Sequence, residues 1–312
     1  MNETRRAILE RIADGPVSGP DLAAKFEISR AAVWKHIEGL RDAEFEIESG
    51  PDGYELVSAD AYTGPAVEYG LEAPFTVEYH DAVASTNELA RERAVDGAAN
   101  VAVLADEQTG GRGRLEREWN SPPGGVWVSI VTRPSIAPAQ APLYTLAAAV
   151  ATARVAREAG VDARIKWPND VVIPDGDDGD YRKLAGVLTE MEGETDRIEW
   201  LVVGIGVNAN LDAGDLPEGA TSVREEASDV DRRRFVQRLL EEFDRLREDL
   251  ERIVPAWREL TLTIGQRVRV DRAAGEVVGE AVDVTDTGAL VVETDDERVT
   301  VSAGDCEHLR PV

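Results

Sequence analysis

A single cysteine, three histidines and four lysines serve all 312 residues. Cys306 alone can close no internal disulfide, and His36, His80 and His308 are too scattered for zinc spacing, so neither a crosslink nor a structural metal is expected. Long apolar runs are missing too. The longest, over 146–153, is cut by Arg154, well short of the roughly 20 residues a membrane span needs, and no signal-peptide core opens the sequence. A cytoplasmic protein with no membrane role is expected.

The shortage of lysine goes with an excess of acid: 61 Asp plus Glu against 34 Lys plus Arg, a net charge of −27. Only Lys25, Lys35, Lys166 and Lys183 are lysines, and such a surface suits a halophilic cytoplasm. At about 1 M salt the Debye length is about 3 Å, so self-repulsion is screened and long-range capture of a polyanion is lost. An anion held at short range stays compatible with this charge. The hydrophobic share of 43% supports sizeable cores, and the length suggests two or three domains, read as 1–60, 61–260 and 261–312.

The first segment reads as three short helices and a hairpin. Ile8, Leu9 and Ile12 space one helix, Asp21 caps a second, and Ser29 caps a third that runs to about residue 42. Alternation over 45–57 about Gly-Pro-Asp-Gly makes a wing, so the assembly expected is a winged helix-turn-helix. Its third helix would present Ser29, Arg30, Trp34, Lys35 and His36 to a major groove, with Arg41 near its end. A spacer or dimerisation module would share the same fold, and fold alone does not decide between them.

The central segment mixes strand patterns over 75–79, 101–105, 126–132, 184–190 and 200–207 with helix patterns over 85–96, 142–159 and 228–253, an α+β domain around a mixed sheet. The acidic stretch over 174–180 reads as a surface loop. From about 262 onward, short alternating runs separated by Gly and Asp suggest a small β-barrel of about five strands.

Chemistry concentrates in five places. Gln108-Thr-Gly-Gly-Arg-Gly-Arg-Leu-Glu-Arg-Glu-Trp119 interleaves glycine with Arg112, Arg114 and Arg117: backbone that can close on a ligand, and forked cations that match phosphate or carboxylate. It lacks the Gly-Lys-Ser/Thr ending of a P-loop. Lys166-Trp-Pro-Asn169-Asp170 sets a cation, an aromatic, a rigid turn and a carboxylate within five residues, which a buried structural turn would equally explain. Arg182-Lys183-Leu-Ala-Gly186 places an ammonium at a strand start. Gly204-Ile-Gly-Val-Asn208 satisfies a loose dinucleotide pattern without the helix that should follow, and reads better as a buried strand whose glycines admit a ligand. Ser85-Thr86-Asn87 opens a helix, where hydroxyls either bind a polar ligand group or cap.

In this order the five motifs resemble those of biotin protein ligases, and with the winged helix and small barrel the whole chain looks like the bifunctional ligase/repressor form. The resemblance implies a class II aminoacyl-tRNA synthetase/biotin ligase-like central domain and an SH3-like C-terminal barrel. It implies that ATP and biotin form biotinyl-5′-AMP and pyrophosphate, and that a lysine of a biotin carboxyl carrier protein, an acetyl- or propionyl-CoA carboxylase subunit, then takes the biotin. Catalysis would fall to Lys183, Arg112 and Arg114, and biotin binding to these with Ser85, Thr86, Asn87, Gln108, Gly113 and Gly186. Trp119, Asn169, Asp170 and Asn208 would serve ATP, with Asn169 and Asp170 orienting Lys183 or holding Mg2+. Arg30, Lys35 and His36 would contact operator DNA, and an adenylate-bound homodimer is implied. Where the family has glycine between the last two arginines of the loop, this chain has Leu115-Glu116, and Glu116 would pair with Arg117 and point to solvent. A regulator that only senses a small acid, and a lipoate-type ligase, are the alternative readings.

Overall fold

The structure is a computed structural model and describes residues 1–176, 180–272 and 275–309. The chain forms two compact units, Met1–Glu72 and Ala73–Val312.

In the first unit, helices α1 (Glu3–Ala13), α2 (Gly19–Lys25) and α3 (Arg30–Arg41) precede the wing strands β1 (Glu46–Gly50) and β2 (Gly53–Ser58) and a short α4 (Gly64–Glu68). Ile8, Leu9, Ile12, Leu22, Ile37 and Leu40 are fully buried at its centre. Ser29 caps α3 as expected, by accepting from Ala32 N at 3.1 Å. The cap of α2 is Ser18, not Asp21, because Pro20 pre-sets the helical φ and starts the helix earlier; Asp21 sits in the first turn and donates its N–H to Ser18 Oγ. Tyr54 joins the wing to Val17 through a backbone bridge, and Gly53 beside it has φ +127° and would set a Cβ 2.1 Å from Val17 O, so only glycine fits there.

The second unit carries β3 (Thr76–Val83), α5 (Thr86–Val95), β4 (Val101–Gln108), β5 (Val126–Thr132), α6 (Pro142–Glu158), β6 (Arg164–Lys166), β7 (Asp170–Asp175), β8 (Asp180–Gly193) and β9 (Ile198–Val207). Helices α7 (Val223–Glu226), α8 (Arg232–Glu248) and α9 (Ile253–Leu260) follow, then β10 (Arg267–Arg272), β11 (Gly275–Val284), β12 (Leu290–Glu293), β13 (Arg298–Val301) and β14 (Asp305–His308). The large sheet runs β3-β4-β5-β9-β8-β7-β6; β3 and β4 pair parallel and every other pair is antiparallel, which makes it mixed. The last five strands form a separate antiparallel sheet in the order β13-β12-β11-β10-β14.

The alanine-rich α6 is buried along most of its length, and its small side chains let it pack closely on the sheet and on α8 and α9. The helix expected over 228–253 is shorter, α8 ending at Glu248, and α9 begins only at Ile253. Pro255, the third residue of α9, lacks an N–H and would clash with the carbonyl four residues back, so the chain breaks at Asp249 and restarts. The hairpin of β6 and β7 is absent from the expected strand set. Residues 177–179 of the acidic loop lie outside the described residues.

Candidate active site

One cavity of about 270 Å³ gathers segments far apart in sequence: the start of α5, the arginine-glycine loop, the turn before β7, the start of β8 and the end of β9. Ser85, Thr86, Asn87, Gln108, Arg112, Gly113, Arg114, Trp119, Asn169, Asp170, Lys183, Gly186 and Asn208 all line it, so every expected ligand-handling residue is brought together. Its charged lining is Arg112, Arg114, Arg117 and Lys183 against Glu118, Asp170 and Asp305. Four cations against three carboxylates, in a chain of net charge −27, make a local positive site.

The floor is a buried polar network. Ser85 Oγ accepts from Glu88 N at 3.4 Å, so it caps α5 while facing the cavity. The carboxamide oxygen of Gln108 accepts from Thr86 N at 2.8 Å and Thr86 Oγ1 at 3.0 Å, and its Nε2 donates to Ser121 Oγ at 2.9 Å. Ser129, fully buried on β5, donates to Asn87 Oδ1 at 2.6 Å and lies 2.7 Å from Thr86 Oγ1. Asn87 Nδ2 donates to Glu190 Oε2 at 2.8 Å. Such a network fixes side-chain directions because each buried polar group left unpaired would cost about 1–3 kcal/mol. Ser121, Ser129 and Glu190 escaped the sequence reading; the one signal was a lone serine in the otherwise apolar run Val126-Trp-Val-Ser-Ile-Val-Thr132.

The glycines of β8 and β9 make room for protein side chains. A Cβ on Gly204 would stand 2.0 Å from Asn87 Oδ1, one on Gly206 2.6 Å from Trp119 Nε1, and one on Gly186 3.2 Å from the Trp119 ring. Trp119 is thereby laid across the sheet, with Lys183 Nζ 5.0 Å from its ring centroid, a cation–π distance. Its buried Nε1 has no hydrogen-bond partner, a donor aimed at nothing the protein supplies. Asn208 is buried and donates to Thr221 O at 3.0 Å.

In the Lys166–Asp170 motif both readings hold at different residues. Trp167 is buried, donates its backbone N–H to Thr263 Oγ1 at 2.9 Å and its Nε1 to Gly288 O at 3.0 Å, and is a structural anchor. Lys166 is buried with Nζ 5.4 Å from the Tyr181 ring centroid. Only Asn169 and Asp170 reach the cavity.

Each loop arginine is held by an acceptor. Arg114 donates to Asn169 Oδ1 at 3.0 Å and to Gly304 O at 2.7 Å; Arg117 pairs with Asp305; Arg112 donates to Glu116 Oε2 at 3.1 Å, with Glu88 at 3.9 Å. The expected pairing of Glu116 with Arg117 is therefore replaced. Leu115 and Glu116 both adopt φ +56°, the left-handed turn that aims Glu116 back at Arg112 while Arg117 meets Asp305, the first residue of β14.

In the helix-turn-helix unit Arg30, Trp34 and Lys35 are exposed on α3, Trp34 at 58%. The Nδ1 of His36 is shielded from solvent, and burial with nearby Arg5 and Lys35 lowers its pKa. Arg41 donates to Ile47 O at 2.7 Å and Ser49 Oγ at 2.8 Å, so it braces the wing and is not free for a groove. Among the described residues no helix is long and apolar enough to cross a membrane, and no group of three or more His, Cys, Asp or Glu could hold a metal ion.

A helix-turn-helix unit followed by a mixed-sheet domain with a basic cleft and a small antiparallel C-terminal sheet defines a class: biotin- and lipoate-type protein ligases with an N-terminal DNA-binding module. Residues 81–208 match the Biotin/lipoate A/B protein ligase family, 263–309 the Biotin protein ligase C terminal domain, and 4–55 an HTH domain. A bifunctional ligase/repressor BirA of Bacillus subtilis is 35% identical over 309 residues, covering 93% of each chain. A biotin--[acetyl-CoA-carboxylase] ligase of Mycobacterium tuberculosis is 34% identical over 72% of this chain and 86% of its own. The biotin protein ligase from Aquifex aeolicus solved with biotin and ATP superposes with a TM-score of 0.60 at 27% identity, covering 75% of this chain and 99% of that one. The chain belongs to the bifunctional biotin protein ligase/repressor family.

Proposed function

We propose that the chain activates biotin with ATP and then transfers it to a lysine of a biotin carboxyl carrier protein. The observation that carries this reading is the convergence of Lys183, Arg112 and Arg114 on one cavity floored by the Ser85–Asn87 and Gln108 network. A carboxylate brought to a phosphate repels it, and cations between the two offset that repulsion. In the first half-reaction a biotin carboxylate oxygen attacks the α-phosphorus and pyrophosphate leaves. Lys183 and Arg114 stabilise the charge that develops, and Arg112 closes over the product. Thr86, Asn87, Gln108 and Ser85 hold the ureido ring, with Gly113 allowing close approach and Gly186 seating Trp119 beside it. The unpartnered indole of Trp119 fits a flat base with a hydrogen-bond acceptor, and Asn208 and Asn169 complete that end.

Mg2+ accompanies ATP in this reading. The residues present fit an ion held mainly by substrate phosphates: among the described residues no group of three or more His, Cys, Asp or Glu could hold a metal ion, and Asp170 is already paired with Lys183. Asp170 would be its nearest carboxylate and otherwise orients Lys183.

The division of labour follows the segments 1–60 for DNA, 61–260 for catalysis and 261–312 for the C-terminal sheet. Residues 1–60 act as a biotin-responsive repressor through Arg30, Lys35 and the half-buried His36, in an adenylate-bound homodimer. The carrier is an acetyl- or propionyl-CoA carboxylase subunit, and the setting is a salt-rich cytoplasm, in keeping with the acid excess. The test is incubation in concentrated salt with biotin or lipoate, ATP and a carrier domain. Biotin-dependent pyrophosphate release and labelling of one carrier lysine are expected; release with lipoate alone would reassign the substrate.

A further inference from the structure

A second cavity, of about 260 Å³, meets the first at Arg114, Asn169, Val187 and Leu188. It lies beside the stretch of β8 beyond Gly186, the last residue that β7 pairs, and is walled by the start of α6, by Trp167-Pro168 and by the turns at Gly288 and 302–303 of the C-terminal sheet. Its lining departs from the rest of the molecule. In a chain with 61 acidic residues, none of its 16 described lining residues is Asp or Glu, and Arg114 is the one charged group. Met191, 49% exposed, stands at the rim.

We propose that this cavity is the entry for the acceptor lysine of the carrier and that its lack of carboxylates keeps the entering amine neutral. The proposal rests on the ligase reading above. Attack on the acyl carbon of the adenylate needs an amine lone pair, yet a lysine of pKa about 10.4 is almost wholly protonated near neutrality. Apolar surroundings and a neighbouring cation both disfavour the ammonium form, and a carboxylate would favour it. The lysine's four-carbon stem suits the apolar walls, while the amine arrives beside Arg114 at the junction of the two cavities. The ammonium releases a proton to solvent on entry. The amine nitrogen then forms the amide bond, the bond from acyl carbon to phosphate oxygen breaks, AMP leaves, and the second proton follows to solvent.

The charged groups nearby are already committed. Lys183 and Asp170 pair in the first cavity, Arg117 pairs with Asp305, and Glu190, next to Met191 on β8, accepts from Asn87. Glu192, the other neighbour of Met191, is exposed and outside the lining.

The full chain carrying Met191→Glu or Ala303→Glu, both at exposed rim positions, tests the idea, with Met191→Gln as the neutral control and the carrier domain of an acetyl-CoA carboxylase as acceptor. Pyrophosphate release without carrier should be unchanged in all three. With carrier, the Glu variants should raise KM at least tenfold and move the pH of half-maximal transfer up by about one unit, while Met191→Gln stays near the unaltered chain. Glu variants with unaltered KM and pH profile would overturn the proposal. So would equal impairment by Met191→Gln, since bulk and not charge would then decide. Failure of the unaltered chain to release pyrophosphate with biotin would overturn the ligase reading and this proposal with it.

Discussion

Lys183 Nζ lies 2.7 Å from Asp170 Oδ1, with the lysine side chain 34% exposed and the aspartate 19%. The carboxylate fixes an ammonium that also sits over the Trp119 ring, so one side chain is positioned from two directions.

Lys183→Ala should lower biotin-dependent pyrophosphate release by about 10²–10³-fold, the usual loss when a preorganised charge-stabilising donor is removed. Thermal unfolding should move little, because the residue is partly exposed. Lys183→Arg should not restore the rate, since a planar guanidinium cannot take the place of a compact ammonium between Asp170 and Trp119. A normal rate in Lys183→Ala would remove it from the chemistry.

Glu116 occupies Arg112 with a protein carboxylate, and both Leu115 and Glu116 hold a left-handed backbone that costs roughly 1 kcal/mol per non-glycine residue. Glu116→Gly removes the competitor and one strained position together. Because the ion pair is exposed and worth at most about 1 kcal/mol, the expected gain is modest: a roughly two- to fivefold lower half-saturating biotin concentration in pyrophosphate release. An unchanged value would mean that the carboxylate does not compete.

Trp34 is the most exposed aromatic side chain of α3 and stands among Arg30 and Lys35. If it touches base edges, Trp34→Ala should weaken binding to a biotin-synthesis promoter duplex by about 5- to 100-fold and leave the salt slope unchanged. Lys35→Ala should instead reduce that slope by about one. Electrophoretic shifts across a salt series separate the two, and a Trp34→Ala variant of full affinity would assign the indole to some other contact.

His308 is half-buried near Lys166, and desolvation first and that ammonium second push its pKa down to about 4. Its folded value lies below its unfolded value near 6.5, so the fold favours the neutral ring. The stabilisation is complete above about pH 6.5 and is lost as pH falls toward 4, where the unfolded chain binds the extra proton. Denaturant unfolding should show a loss of up to roughly 3 kcal/mol across that window, flattened in His308→Gln. A slope that survives the substitution would trace the acid sensitivity to other groups.

Motifs whose chemistry sits in consecutive residues were legible in the sequence: the loop at 108–119, Ser85-Thr86-Asn87 and the strand-start Lys183. The helix-turn-helix was legible because apolar spacing and caps are local signals. What escaped depends on distance along the chain. Arg114 finds the Gly304 carbonyl 190 residues away, and nothing near either one marks the partner. The three-residue strand β6 is too short to show an alternation, so the turn at Pro168 was legible while the strands it joins were not. Ser129 looked like one polar interruption of an apolar strand, and only the approach of α5 gives it a task.

Gly186, Gly204 and Gly206 leave three vacant methyl positions on the face of the large sheet, and an indole and an amide fill them. Competence of this cleft is thus encoded by subtraction. A single added carbon at 206 would evict Trp119, take the platform from under Lys183 and disable the enzyme while leaving every charged residue of the cleft in the sequence.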